Sequence, residues 1–391
     1  MLKQNYFKQF ATILEHIMKL LRLYIYNSGV FKNTLIDFTH HGEPQDLICL
    51  AGVNGSGKTT VMELIFNLIN FINPDLSPQN IFFDRLKSNV LTRTEFAQLD
   101  VLIEDKVLSL VLGEVDNIQV NNEYLGKQSF IIEYDIKNMI KHFENHVVKT
   151  PEDDDDTSII SKKLTGLRAA EWFSNRKIVR KEEQVVKPLI QKIEKIYQTE
   201  KVTQDVFQNM PLVYFLNAHD REIRDIRYSS IPQEKPKYEI AHRYSPDKDD
   251  LTRTLIFYDY ARAEKFNDLK AWINTYILVD KALKGIDREH FQVVIETKDG
   301  EEHGLNLLSS GEESLLIIAT QLYLRASKKA IFLIDEIDQS LHPEFQEKVM
   351  RLLKQLQKDT GCQILVSSHS EIIWDAFEDK GFISLTELVI K

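Results

Sequence analysis

The sequence predicts an α/β fold: a mixed central sheet with helices, an antiparallel β edge subdomain and a mainly helical insertion. Three observations predict its central strands. Residues 46–51, DLICLA, form a short apolar run that enters a glycine-rich loop and then a helical pattern through Val61, Leu64, Ile65 and Leu68. Residues 330–336, AIFLIDE, hold four consecutive large apolar side chains and end in two carboxylates, as expected of a parallel strand buried on both faces. A third apolar segment, CQILVSS, delivers His369-Ser370.

Composition sets the outer bounds. The chain has 391 residues, 49 Lys+Arg against 59 Asp+Glu and 43% hydrophobic residues. That is enough apolar surface for a core and enough length for two or three domains, or one domain with a large insertion. Two cysteines make no disulfide framework and fit a reducing, cytoplasmic setting. Cys49 and Cys362 fall in apolar strands and read as small hydrophobes. The net charge of −10 argues against a simple nucleic-acid coat. Charged residues interrupt every apolar stretch, so neither a signal peptide nor a membrane span is expected.

Taken in order, Ile13, Ile17, Leu20 and Leu21 recur at helical spacing and predict an amphipathic first helix. Strand-like segments follow at 21–27 and 35–38. His40 and His41 lack any partner at a recognisable ligand spacing and read as a solvated loop.

The loop itself is Gly52-Val53-Asn54-Gly55-Ser56-Gly57-Lys58-Thr59, with Thr60 after it. This is G-x-x-x-x-G-K-[ST], the phosphate-binding pattern. Its glycines let backbone N–H groups turn inward toward phosphate oxygens, and the following helix adds a positive N-terminal end. Lys58 can reach the β- and γ-phosphates, and the Thr59 hydroxyl is placed to ligate Mg²⁺. A glycosylation sequon at Asn54-Gly55-Ser56 lies inside this loop and is set aside.

Farther on, 99–105 and 107–112 predict a hairpin. The run Pro151-Glu152-Asp153-Asp154-Asp155-Asp156 reads as a solvated linker. From 161 to 201 eleven lysines and arginines face five glutamates, with a short helical pattern that Pro188 interrupts. Two readings stand for this stretch, a solvated helical lobe or a nucleic-acid site. LVYFLNA at 212–218 predicts a strand running into His219-Asp220-Arg221-Glu222. Residues 251–284 predict one long helix or two, with Phe257, Tyr258, Tyr260, Trp272 and Tyr276 as core. FQVVIET at 291–297 returns the chain to the sheet.

The carboxylates of AIFLIDE gain meaning from their neighbours. Before them lies Leu308-Ser309-Ser310-Gly311-Glu312, opening a helical run; after them comes Ile337-Asp338-Gln339-Ser340-Leu341, and then His369. With these motifs the sequence resembles ABC-type ATPases of the AAA class. It has Walker A at 52–59, a signature at 308–312, Walker B at 331–336, a D-loop at 337–341 and a switch histidine at 369. The LSSGE signature is closer to the SMC-like and OLD-like branches than to transporters, and Ser310 stands where the family pattern has glycine. The strand-then-Arg221 element also looks like one found in OLD-like ATPases.

The resemblance implies a P-loop NTPase of ABC type. Lobe I covers 1–145, a mainly helical insertion 146–285 and lobe II 286–391. It implies ATP and Mg²⁺ as ligands, with Thr59 and Asp335 on the metal. Glu336 would polarise the attacking water, with Lys58 and His369 as catalytic partners. Ser309, Ser310 and Gly311 would contact ATP bound in a second subunit of a head-to-tail dimer, and Asp338 would communicate across it. The family's Q-loop glutamine stays unassigned among Gln79, Gln98, Gln119 and Gln128.

The short stretch after His369 leaves no room for a Toprim nuclease domain. The sequence is therefore most similar to Toprim-less OLD-like ATPases, such as the ATPase subunits of Septu-type and retron-linked anti-phage systems. That similarity implies a homo-oligomeric ATPase regulating a nuclease or toxin encoded nearby. The alternatives are a DNA-repair ATPase acting directly on DNA, and an ATP-bound scaffold with little turnover.

Overall fold

A computed structural model describes residues 18–70, 72, 90, 93–103, 106–113, 129–133, 179–182, 191, 210–224, 226, 228–232, 239–278, 280–377 and 380–390. They group into two compact units. One draws on Met1–Leu20, Phe38–Thr59 and Glu200–Lys391, the other on Leu21–Asp37 and Thr60–Thr199. No described helix is long and apolar enough to cross a membrane.

The chain opens with β1 (Met18–Ser28) and β2 (Phe31–Asp37), an antiparallel pair turned at Gly29, whose φ is +57°. Leu20 and Leu21 thus lie on a strand, where helix was expected. The strand pairs with β2 from Arg22 onward, and that pairing outweighs the local helical spacing just before it. Ile13 and Ile17 fall outside the described residues. The short β3 (Thr39–His40) and β4 (Glu43–Pro44) form a hairpin around His41 and Gly42, both at positive φ. Then come β5 (Leu47–Ala51) and α1 (Lys58–Asn70). The expected hairpin is β6 (Thr94–Ile103) with β7 (Lys106–Gly113), paired antiparallel from Phe96↔Gly113 to Ile103↔Lys106.

Two more strands, β8 (Ser129–Glu133) and β9 (Val179–Glu182), complete a mixed sheet in the order β2-β1-β6-β7-β8-β9. Arg180 and Lys181 of the basic stretch are therefore on a strand, not in a helix. The rest of that stretch lies outside the described residues, apart from Gln191. A small apolar cluster of Tyr24, Phe96 and Val111 holds this unit. Its buried Asp100 accepts bonds from Gln98, Ser109 and the Arg22 guanidinium, so the charge is not left unpaired.

The other unit continues with β10 (Leu212–Leu216), β11 (Ala241–Arg243), α2 (Leu251–Ala261) and α3 (Ala263–Tyr276). The 251–284 segment is thus two helices, parted at Arg262, whose φ of −146° is not helical. β12 (Lys281–Asp287), β13 (Gln292–Thr297) and β14 (Glu302–His303) follow as a separate antiparallel sheet. FQVVIET therefore supplies β13 of this small sheet and does not return to the central one. Alternation of buried and exposed positions along β13 fits a strand covered on one face.

Last come α4 (Ser310–Arg325), β15 (Ala330–Ile334), α5 (Pro343–Thr360), β16 (Gln363–Ser368), α6 (Glu371–Asp375), β17 (Phe382–Ser384) and α7 (Leu385–Ile390). Six parallel strands form the central sheet in the order β11-β10-β15-β16-β5-β17. Every residue of β10, β15 and β16 is buried, which is why their sequences read as continuous apolar runs. Helices α2, α3, α4 and α5 contribute Leu255, Phe266, Ile318 and Leu353 to one apolar core with the sheet. Phe257, Trp272 and Tyr276 pack against that core, as expected, and Tyr258 lies within it.

Candidate functional site

Parallel sheets collect their ligands at the carboxyl ends of the strands, and here β5, β15 and β16 end together. The loop after β5 wraps tightly. A Cβ on Gly52 would lie 2.5 Å from the Ser56 hydroxyl and 3.1 Å from that of Thr386. Gly55 and Gly57 take φ of +81° and +96°, conformations that glycine adopts at little cost. Asn54 and Gly55 are exposed at the tip, and Thr60 lies half-buried in the first turn of α1.

Lys58 turns back into this loop. Its Nζ donates to the Gly52 carbonyl at 2.8 Å and the Val53 carbonyl at 3.2 Å, and lies 3.3 Å from His369 Nδ1. Burial pushes its ammonium below the ordinary lysine value, against the pull of Glu336, Asp335 and Asp338. A buried cation resting on two carbonyls has donors to offer an incoming phosphate.

At the end of β15 the Thr59 hydroxyl donates to Asp335 Oδ2 at 2.9 Å. The Ser367 hydroxyl donates to Asp335 Oδ1 at 2.6 Å and accepts from the Glu336 amide at 2.7 Å. One serine therefore links β16 to both acidic residues. Glu336 sits at φ +45°, an uncommon conformation for a non-glycine residue. Its Oε1 is 3.7 Å from His369 Nε2. Asp338 accepts from the His369 amide at 3.2 Å, so the D-loop carboxylate fixes the backbone that presents the histidine.

Lys58, Thr59, Asp335, Glu336, Asp338 and His369 are thus brought together. Ser367 was not singled out in sequence; its only signal is the polar pair closing CQILVSS. Arg221 was noted without a role, and it reaches the same turn: Nη2 donates to the Glu336 carbonyl at 2.8 Å.

A hydroxyl beside a carboxylate is the hard-oxygen donor set that suits Mg²⁺, which commonly takes one or two protein ligands together with substrate phosphates. Among the described residues no cluster of three or more His, Cys, Asp or Glu forms a self-sufficient metal cage. Thr59 and Asp335 fit a metal that arrives with a nucleotide.

The signature forms a separate constellation at the start of α4. Ser309 caps the helix: its hydroxyl accepts from the Glu312 amide at 3.3 Å, while Glu312 Oε2 accepts from the Ser309 amide at 2.9 Å. Lys281 Nζ lies 2.8 Å from Glu312. Burial works against the Glu312 charge, but the bonds from Lys281 and Ser309 prevail and hold its carboxyl below the usual range. Ser310 occupies the first helical position with its side chain exposed. Gly311 is buried, and a Cβ there would lie 2.8 Å from the Ser340 carbonyl of the D-loop turn. The signature helix and the D-loop touch within one chain.

Among known proteins, the model of the AAA ATPase domain family matches residues 18–374. Similar solved structures include the SMC head domain from Thermotoga maritima, 13% identical over 92% of each chain with a TM-score of 0.37. Another is the Smc head domain with an extended coiled coil bound to the C-terminal domain of ScpA derived from Pyrococcus furiosus, 12% identical over 92% of each chain with a TM-score of 0.38. No curated protein matches the sequence. With a phosphate loop facing paired carboxylates and a family match spanning both units, the chain belongs to the AAA ATPase domain family and is a P-loop ATP hydrolase.

Proposed function

We propose that the chain is an ATP-gated head that dimerises head to tail, and that its nucleotide state controls a partner effector, a nuclease or toxin, in prokaryotic anti-phage defence. The observation that supports the dimer is the exposure of Ser309 and Ser310 while Ser309 bonds within its own helix. A signature presented outward at a helix N-terminus suits a phosphate held by another subunit. The effector reading rests on the resemblance to OLD-like ATPases, carried by the LSSGE signature and the strand-then-Arg221 element. The lobes at 1–145 and 286–391, with an insertion between them, belong to the same reading.

In the cis half of the site, Lys58 leaves the Gly52 and Val53 carbonyls for the β- and γ-phosphates, and loop N–H groups cradle them. Thr59 and Asp335 would hold Mg²⁺, which would neutralise phosphate charge. Glu336 takes a proton from the attacking water as the new P–O bond forms and the bond to ADP breaks. His369 donates to the γ-phosphate and registers its departure as phosphate. From the partner, Ser309 and the Gly311 amide complete the γ-phosphate shell, and Asp338 ties the two halves together. ATP favours the closed dimer because its γ-phosphate bridges both subunits, and hydrolysis removes that bridge.

The Glu336→Gln variant tests this reading. ATP should convert it from monomer to a long-lived dimer by light scattering, with phosphate release lowered about 100-fold or more. A variant that stays monomeric with saturating ATP rejects the dimer. A wild type no faster than the variant leaves a structural ATP scaffold. For the effector, expression with the neighbouring genes should reduce phage plating, and Lys58→Ala should abolish that protection.

DNA acting directly on the head is the second reading, favoured by the eleven basic residues between 161 and 201. Neutralising Lys177, Arg180 and Lys181 together should then remove a salt-dependent DNA affinity.

A further inference from the structure

Arg221 follows the short 3₁₀ turn Ala218–Asp220 at the end of β10 and is 8% exposed. Its Nη2 donates to the Glu336 carbonyl at 2.8 Å and lies 3.5 Å from Gln339 Oε1. Nε and Nη1 are buried with no partner among the described residues. Burial lowers the guanidinium to about 10, and the nearby Asp335, Glu336 and Asp338 oppose that loss. A fold seeking stability alone would gain from an apolar residue here, because a buried arginine with unmet donors is costly.

What the guanidinium holds is the strained residue of the site. Glu336 adopts φ +45°, and such backbone persists only where its surroundings over-determine it. Its amide is fixed by the Ser367 hydroxyl at 2.7 Å, and its carbonyl by Arg221 at 2.8 Å together with the Gln339 amide at 2.9 Å. The two peptide groups flanking Glu336 are therefore held from two sides, by β16 and by the segment after the 3₁₀ turn that follows β10. With both fixed, the Cα–Cβ direction of Glu336 is fixed too. Without Arg221 the carbonyl would rest on the Gln339 amide of its own turn alone, free to relax with that turn toward an ordinary conformation and swing the carboxylate away.

We propose that Arg221 is a positioning residue for ATP hydrolysis, clamping the Glu336 carbonyl so that the Glu336 carboxylate stays aimed at the attacking water. Its charge also offsets the mutual repulsion of Asp335, Glu336 and Asp338. The inference rests on Glu336 being the general base, and a dedicated variant tests that separately. Arginine suits the task because its planar fork addresses a carbonyl while remaining charged; a lysine would supply charge without the fork.

The experiment compares Arg221→Met and Arg221→Lys with the wild type for steady-state turnover, equilibrium ATP affinity and thermal unfolding. Arg221→Met should lose about 100-fold in kcat, the scale of a misaligned catalytic group, with ATP affinity within about threefold of wild type. Arg221→Lys should recover part of the loss, to about tenfold below wild type. Adding Arg221→Met to Glu336→Gln should slow turnover no further than Glu336→Gln alone. Either single variant with wild-type kcat overturns the assignment. So does loss of ATP affinity in step with kcat, since that is the mark of a collapsed site. Should Arg221→Met fail to fold, Arg221→Lys alone decides by the same readouts. If Glu336→Gln itself turns over at the wild-type rate, the general base is wrongly assigned and the role of Arg221 falls with it. An impaired Glu336→Gln beside an unimpaired Arg221→Met rejects the clamp only.

Discussion

Thr59 and Asp335 lie 276 positions apart in sequence and are joined by a hydrogen bond of 2.9 Å. Asp335 also accepts from Ser367, so it needs two acceptor oxygens and no donor. Asparagine offers one of each and leaves one hydroxyl without an acceptor. Asp335→Asn should raise the Mg²⁺ concentration for half-maximal ATPase activity about 10- to 100-fold, the range for disturbed metal sites. A Mg²⁺ titration at fixed ATP measures it, and an unchanged midpoint would remove Asp335 from the metal site.

The capping box predicts a separable loss at the signature. Ser309→Ala should cost about 1 kcal/mol of stability through the missing cap. It should also weaken ATP-dependent dimerisation, while ATP binding to dilute monomer stays at the wild-type level. Calorimetry and sedimentation read the two effects independently.

Gly381 predicts a defect that begins far from any phosphate contact. Its φ is +83°, and a Cβ there would collide with the Leu47 carbonyl, while its own carbonyl accepts from the Cys49 amide at 2.8 Å. Alanine must therefore push β17 away from β5. Gly381→Ala should destabilise the protein by about 2–3 kcal/mol, as overpacking and left-handed strain combine. Denaturant unfolding checks this, and a midpoint equal to wild type would contradict it.

His242 predicts the pH dependence. Burial disfavours charge on its ring, but Asp249, 2.9 Å from Nε2, and Glu239 outweigh burial and the opposing Arg325, raising its pKa to about 9. Folded His242 holds its proton where the unfolded chain releases it, so its stabilisation is complete below about pH 6.5 and fades as pH rises through about 9. The melting temperature should fall between pH 6.5 and 9.5, and His242→Gln should flatten that slope. A slope identical in the variant would place the titration elsewhere.

Much of the central sheet was legible because burial on both faces writes itself as apolar runs. LVYFL, AIFLI and QILVSS each sit where their composition put them. Hydrophobic spacing failed where strand pairing decided the outcome. Leu20 and Leu21 carry a helical pattern yet lie on β1, which pairs with β2 from Arg22 onward, and FQVVIET joins a small sheet whose strands are close neighbours in sequence. At the site, the loop and Asp335-Glu336 were visible because a nucleotide demands particular side chains at fixed spacing. Ser367 escaped notice, and Arg221 was noted without a role, because each acts on the backbone of Glu336. Their value depends on which strands become neighbours, and no local spacing encodes that.

The strand order has a consequence for how the protein is made. β16 lies between β5 and β15, so the loop after β5 and the carboxylates after β15 have no shared wall until residues 363–368 are in place. Ser367 and His369, which tie those carboxylates to the loop, arrive with the same strand. A ribosome-bound chain lacking this segment holds both halves of the nucleotide site and cannot join them. Joining the two halves is therefore among the last folding steps that synthesis permits, since only β17 of the central sheet follows β16 in sequence.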